Sequence, residues 1–166
     1  MAVDLPGISA TAGYDQVGQF ARYPELVPVV RSVTVHEINA EMETSEWEVY
    51  FRNGILRWTE SDHFRPEDLS IVFNQLEGDF DAFAGSWQIS GTADGCRVDF
   101  RAEFDFGIPS LAGILDPVAQ RVIKETIARV VIGLFGRGSV VGDEALALAV
   151  AQPPAAPPSL ADAQVN

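Results

Sequence analysis

Sulfur and imidazole are nearly missing from this chain of 166 residues, which has one cysteine, Cys96, and two histidines, His36 and His63. A lone thiol excludes an internal disulfide and a cysteine-built zinc site, and two histidines exclude a multi-histidine metal centre. Positive charge is scarce as well: 11 basic residues stand against 24 acidic ones, a net charge of −13. A surface of that sign repels phosphate backbones and anionic headgroups, so no nucleic-acid partner is expected. No apolar run approaches the length of a membrane span. The opening "MAVDLPGISA" is acidic and broken by Pro6, unlike a secretory signal or a transit peptide, and a cytoplasmic protein is expected. The nucleophile elbow, the P-loop and the dinucleotide fingerprint are absent too. "GLFGRG" at 133–138 follows a helical pattern instead of opening one. Covalent catalysis and a bound nucleotide are therefore not expected, and neither a cofactor nor a metal is called for.

What the chain does have is apolar patterning, with 47% hydrophobic residues, enough for one sizeable core. Residues 1–136 carry dense periodicity. Residues 137–166 are rich in Ala, Pro and Gly and empty of aromatics, so they read as a disordered tail in which "DEALALAVA" is at most a transient helix. In the first part, "AVDL" reads as a strand. Ser9 caps a helix with the stripe Tyr14, Val17, Phe20 and Ala21, and Pro24 opens a short second helix.

Six strands follow: "SVTVHEI", "EWEVYF", "ILRWTESDHF", "LSIVFNQLEG", "GSWQISG" and "CRVDFRAEFDF". A hairpin turn is placed at Asn53-Gly54. In the last strand Cys96, Val98, Phe100, Ala102, Phe104 and Phe106 alternate with charged residues, the mark of an antiparallel sheet with one wet face. A long helix then carries the stripe Ala119, Val122, Ile123, Ile127, Val130 and Leu134, with Arg121, Lys124 and Arg129 off the stripe and facing water. Only that helix is large enough to cover the dry face. The expectation is an α+β domain: a curved antiparallel sheet of about seven strands around a long C-terminal helix, with two short helices after the first strand.

One strand raises a question of chemistry. In "LRWTESDHF", Leu56, Trp58, Glu60, Asp62 and Phe64 share a face, so two carboxylates lie on the side of the large apolar groups. Two readings are open. If both point inward, burial and mutual repulsion raise their pKa values, and one can serve as a general acid while the other is a base. Alternatively, a bulge or an arginine such as Arg57 or Arg101 releases them to solvent. Trp47, Trp58 and Trp87 can stack against a flat ligand or simply fill the core.

The segments "FARYPELVPVV", "WEVYF", "RWTESDHF" and "FNQLEGDFDAFAGSWQI", with the final strand and helix, resemble the helix-grip (START/Bet v 1-like) superfamily over residues 2–136. Within it they resemble the polyketide cyclase/dehydrase group, which also holds the coenzyme Q-binding proteins. The resemblance implies a ligand-binding domain over 1–136 with an apolar cavity between sheet and helix. Its candidate catalytic residues are Asp62, favoured as matching a cavity-facing position, and Glu60. Its candidate ligand-binding residues are Trp47, Trp58, Asn74, Trp87, Phe100, Phe104, Leu115, Val118 and Val122. Single-domain aromatase/cyclases of the group carry an arginine pair and a last-strand histidine. Ser61, Asp62 and Phe104 stand there in this chain, so that chemistry is not implied. The expected function is a polyketide cyclase/dehydratase acting on a hydrophobic polyketide-like or aromatic molecule, and the alternative is a non-catalytic carrier of a quinone or lipid. An acyl carrier protein docked on Arg121, Lys124 and Arg129 is a candidate partner, and a homodimer stays open.

Overall fold

A computed structural model describes residues 1–157. The chain opens with β1 (Ala2–Pro6), α1 (Ala10–Val17) and a single 3-10 turn at Phe20–Arg22 that runs into α2 (Tyr23–Leu26). Then come β2 (Val30–Asn39), β3 (Met42–Phe51), β4 (Gly54–Arg65), β5 (Ser70–Gly78), β6 (Ala82–Gly91) and β7 (Gly95–Asp105). The long helix α3 spans Ala112–Phe135, followed by β8 (Ser139–Val141) and α4 (Glu144–Ala151). All eight strands form one antiparallel sheet in the order β2-β3-β4-β5-β6-β7-β1-β8. Its concave side grips α3, the helix-grip arrangement expected.

Local chemistry explains the elements. Ser9 accepts a hydrogen bond from the Ala12 amide at 3.2 Å and so caps α1, whose Tyr14 and Val17 are buried. Phe20 is buried too, but on the 3-10 turn, while Ala21 is exposed, so the expected stripe ends one residue early. In β7, Cys96, Val98 and Phe100 are buried between the outward Arg97, Asp99 and Arg101. Phe104 and Phe106 are only half-buried, because the strand runs past the end of the core there. Among the described residues, no helix is long and apolar enough to cross a membrane.

The β3–β4 hairpin sets the register of the site. Phe51 pairs with Gly54, so the turn residues are Arg52 and Asn53, not Asn53 and Gly54. Arg52 takes the positive φ of 54° that a tight hairpin demands. β4 pairs with β3 without interruption. The register shift beside Glu60 lies between it and β5, where Leu76 is the extra, exposed residue. Trp58, Glu60 and Asp62 therefore keep their common inward face.

The tail reading needs correction over residues 139–151. β8 pairs with the edge of β1, with Val3 opposite Val140, and the left-handed Gly136 (φ 65°) ends α3 to make the return. Asp143 caps α4 through the Leu146 amide at 3.0 Å and meets Lys124 at 3.4 Å. Leu146 is buried. Arg129, expected to face water, is only 12% exposed: it holds Glu125 at 2.8 Å and donates to the carbonyls of Ala149 and Gln152, each at 2.8 Å. Edge pairing, one buried leucine and one arginine clamp offset the ordering entropy without any aromatic group. The remainder of the predicted tail, from 158 to 166, lies outside the described residues. Arg129→Ala is expected to cost roughly 2 kcal/mol by removing charge-assisted bonds to three partners. Amide exchange across residues 144–151 should speed up by about tenfold or more while the sheet stays protected.

Candidate functional site

Between the sheet and α3 lies a narrow cavity of about 70 Å³, apolar over nearly all its wall. Trp47 and Trp58, opposite each other on β3 and β4, stack with centroids 5.7 Å apart and planes 3° from parallel. Phe73 stacks on Phe100 at 5.7 Å, and Trp87 meets Phe100 edge-on at 4.7 Å. From α3, Ala119, Val122, Ile123 and Thr126 close the space. The volume is well below the roughly 300–1,000 Å³ of ordinary small-molecule pockets, so any fused-ring ligand must move a wall to enter.

One carboxyl group reaches this wall, that of Glu60, 4% exposed. Its Oε2 accepts from the Trp58 indole N–H at 2.7 Å. Asp62, two residues on, is 0% exposed and lies behind the wall. Its Oδ2 accepts from the Ser45 hydroxyl at 2.5 Å, and Ser45 Oγ accepts from the Trp47 indole N–H at 2.8 Å. The stacked tryptophans thus line the cavity while the Trp58 N–H holds Glu60 directly and the Trp47 N–H reaches Asp62 through the Ser45 hydroxyl. The residue spacing explains this: "S-E-W" on β3 and "W-T-E-S-D" on β4 place Ser45 opposite Glu60 and Trp47 opposite Trp58.

The electrostatics separate the two acids. Burial pushes Glu60 well above the usual carboxylate range, and the charge of Asp62 raises it further, against the Trp58 hydrogen bond. Burial pushes Asp62 up to about 6, held back by the Ser45 hydroxyl and by Glu60. Burial thus favours the protonated form of both acids, more strongly at Glu60 than at Asp62. Tyr23 is kept neutral, its phenol pushed well up by burial and by both acids, while its hydroxyl donates to the Val17 carbonyl at 2.6 Å.

Of the residues singled out from sequence, Trp47, Trp58, Glu60, Trp87, Phe100 and Val122 are on the cavity wall. Asp62, favoured over Glu60 as the cavity-facing acid, is instead the buried partner. Asn74 is exposed, since its neighbour Phe73 takes the inward position on β5. Phe104 sits one layer away, edge-on to Phe80 at 6.1 Å. Leu115 and Val118 precede the first turn of α3 that meets the cavity, at Ala119. Tyr23, Phe80 and Thr126 line it unannounced. Phe80 lies in the β5–β6 connection, where no periodicity could have marked it. Of the three helix cations, Arg129 is turned into the protein, while Lys124 stays more than a third exposed beside Asp143 at 3.4 Å. Among the described residues, no group of three or more His, Cys, Asp or Glu could hold a metal ion.

Comparison with known proteins agrees with this geometry. Among solved structures the chain is similar to TTHA0849 from Thermus thermophilus, with a TM-score of 0.72 and 22% identity over 81% of this chain and 92% of that one. It is similar also to the Zhui aromatase/cyclase from Streptomyces sp. R1128, with a TM-score of 0.62 and 15% identity over 82% and 90%. A START superfamily protein from Mycobacterium smegmatis aligns with a TM-score of 0.61 and 16% identity over 82% and 94%. At these identities the likeness is one of fold. No curated protein matches the chain. The family described as polyketide cyclase/dehydrase and lipid transport matches residues 8–131, most of the folded part, and the chain belongs to that family.

Proposed function

We propose that the protein binds a hydrophobic aromatic or polyketide-like molecule against the Trp47–Trp58 stack and catalyses its aldol cyclisation and dehydration, with Glu60 as the acid–base group and Asp62 as its charge partner. The observation that carries this reading is a single carboxyl on an otherwise apolar wall, backed by a second, fully buried one. Family membership supports hydrophobic-ligand binding in general. Glu60 gives its proton to a ligand carbonyl oxygen and, as carboxylate, takes one from the adjacent carbon. The enol carbon then bonds to a second carbonyl carbon while its π electrons move to oxygen; Glu60 protonates that oxygen to a hydroxyl and, as carboxylate, takes the enol O–H proton as the first carbonyl re-forms. In dehydration the same carboxyl protonates the leaving hydroxyl and removes the next α-proton, so each turnover restores it. Asp62 stays ionised and keeps the proton on Glu60 between steps. Holding the chain folded in the cavity contributes the larger share of the acceleration.

Glu60→Gln tests this with a poly-β-ketone thioester as substrate. Cyclised, dehydrated product should fall by about 100-fold or more, with binding, read from tryptophan quenching, within about threefold. Equal product from both proteins would defeat the proposal. The carrier reading draws on the nearly unbroken apolar wall. It predicts a quinone or lipid that co-purifies in native mass spectra and is never converted. Delivery by an acyl carrier protein would draw on the exposed Arg121 and the part-exposed Lys124, since Arg129 is turned into the protein.

A further inference from the structure

The acid pair has a neighbour that faces elsewhere. Glu43 on β3 is directly opposite Asp62 on β4, as Ser45 is opposite Glu60, so the four side chains form a two-by-two patch on the concave face. Glu60 borders the apolar cavity. Glu43 borders a separate, solvent-reached cleft of about 550 Å³ between α1 and the β2–β3 hairpin, lined also by Tyr14, Asp15, Glu37 and Phe64. Asp62 lines neither and stands between them. Phe20, buried against Trp47 and Trp87 on the cavity side and Phe64 on the cleft side, seals the two spaces from each other. Asp62 Oδ1 and Glu43 Oε1 are both buried without a hydrogen-bond partner, on residues that face each other across the hairpin.

We propose that Glu43, Asp62 and Glu60 form a proton path that joins the cavity to the solvent-filled cleft through the β3–β4 hairpin, with Glu43 as its outer station. This rests on the reading of Glu60 as a group that gives and takes protons. A ligand in the apolar cavity blocks its mouth, so while one is bound the Glu60 proton can exchange with water only from behind. A proton taken from water by the Glu43 carboxylate passes to Asp62, and from Asp62 to Glu60. Each transfer protonates one carboxylate and ionises the one before it, so the charge of the set changes only when Glu43 exchanges with water. Burial, then the charges of Asp62 and Glu37, push Glu43 up to about 7, so the outer station can hold a proton near neutral pH, and the step onto Asp62, at about 6, is the uphill one. The other ionisable groups around the path are Tyr23 of α2, Tyr14 and Asp15 of α1, and His63, whose charge would lower Asp62.

Exchange of the protonated-carboxyl infrared band after rapid mixing into D2O tests this without any turnover. Glu60→Gln should remove the slowly exchanging part of the band and leave only the fast part that belongs to Glu43 at the cleft. Glu43→Gln and Asp62→Asn should each slow exchange of the slow part by about tenfold or more, and Glu43→Asp should restore it to within about threefold. Wild-type exchange in Glu43→Gln, or a slow part that survives Glu60→Gln, would overturn the proposal. If Glu43→Gln fails to fold, wild type loaded with 2-naphthol decides: a path through the hairpin leaves exchange unchanged on loading, whereas a path through the mouth is stopped. Failure of the cyclase reading would leave these exchange rates as expected, so the two readings fail separately.

Discussion

Thermal stability falls as pH rises from about 5 to about 8, and Asp62→Asn flattens the fall. A carboxyl whose folded pKa is raised binds its proton more tightly in the native state than in the unfolded chain. Its stabilisation is then complete below the unfolded value and lost as pH climbs through the folded one. For Asp62 the window runs from its ordinary 3.8 to about 6. That is about 3 kcal/mol in all, roughly half of it lost above pH 5. Glu43, pushed up to about 7, and Glu60, higher still, add losses of the same sign. The amide that replaces the Asp62 carboxyl cannot ionise, can still accept from Ser45, and removes the charge that repels Glu60. At pH 8 the variant should melt about 5 °C or more above the wild type, whereas at pH 5 the gap should be only about half as large. Circular dichroism melts at both pH values measure it, and parallel slopes for the two proteins would contradict a buried, high-affinity acid pair. A substitution that raises stability while weakening chemistry is what a strained functional site predicts.

Phe20→Ala should be the most damaging single truncation at the site, at about 3–5 kcal/mol. Phe20 is 2% exposed and touches four aromatic rings, those of Tyr23, Trp47, Phe64 and Trp87, with centroids 5.5–6.5 Å away. Removing the ring forfeits those contacts and opens the seal between cavity and cleft. Denaturant unfolding should show the lower midpoint, and an apolar dye should bind the folded variant in larger amount than it binds the wild type. Phe20→Leu, which keeps most of the volume, should cost less than half as much. Equal losses for Ala and Leu would mean that the ring fills no seal.

Periodicity made much of this architecture readable. The β7 alternation, the Ser9 cap, the α3 stripe and the shared face of Trp58, Glu60 and Asp62 are local patterns that need no partner to be seen. Partners were what local pattern could not supply. With the hairpin turn one residue later, every β4 partner would shift by two, Ser45 would oppose Asp62, and Glu43 would oppose Phe64. The actual turn at Arg52 and Asn53 puts Ser45 against Glu60 and Glu43 against Asp62, and so makes the carboxyl patch. The resemblance misplaced Asn74, because the inward side of β5 is decided by Ile71 and Phe73. The segment 139–151 was illegible because it borrows its order: a free edge on β1 and the Arg129 side chain are both supplied by other parts of the chain.

The two ends of α3 are not equally fastened. Beyond Ala119 its buried face, the β8 return and the α4 clamp hold it on three sides. Before Ala119 it has no buried residue, and Pro117 leaves the Gly113 carbonyl without its amide. The helix is thus a beam built in at one end and free at the other, and a space of 70 Å³ can grow only where the beam can lift. A guest is therefore expected to enter beneath residues 112–118, beside the exposed Ile108, Leu111 and Ile114, which would give that threshold a greasy lip.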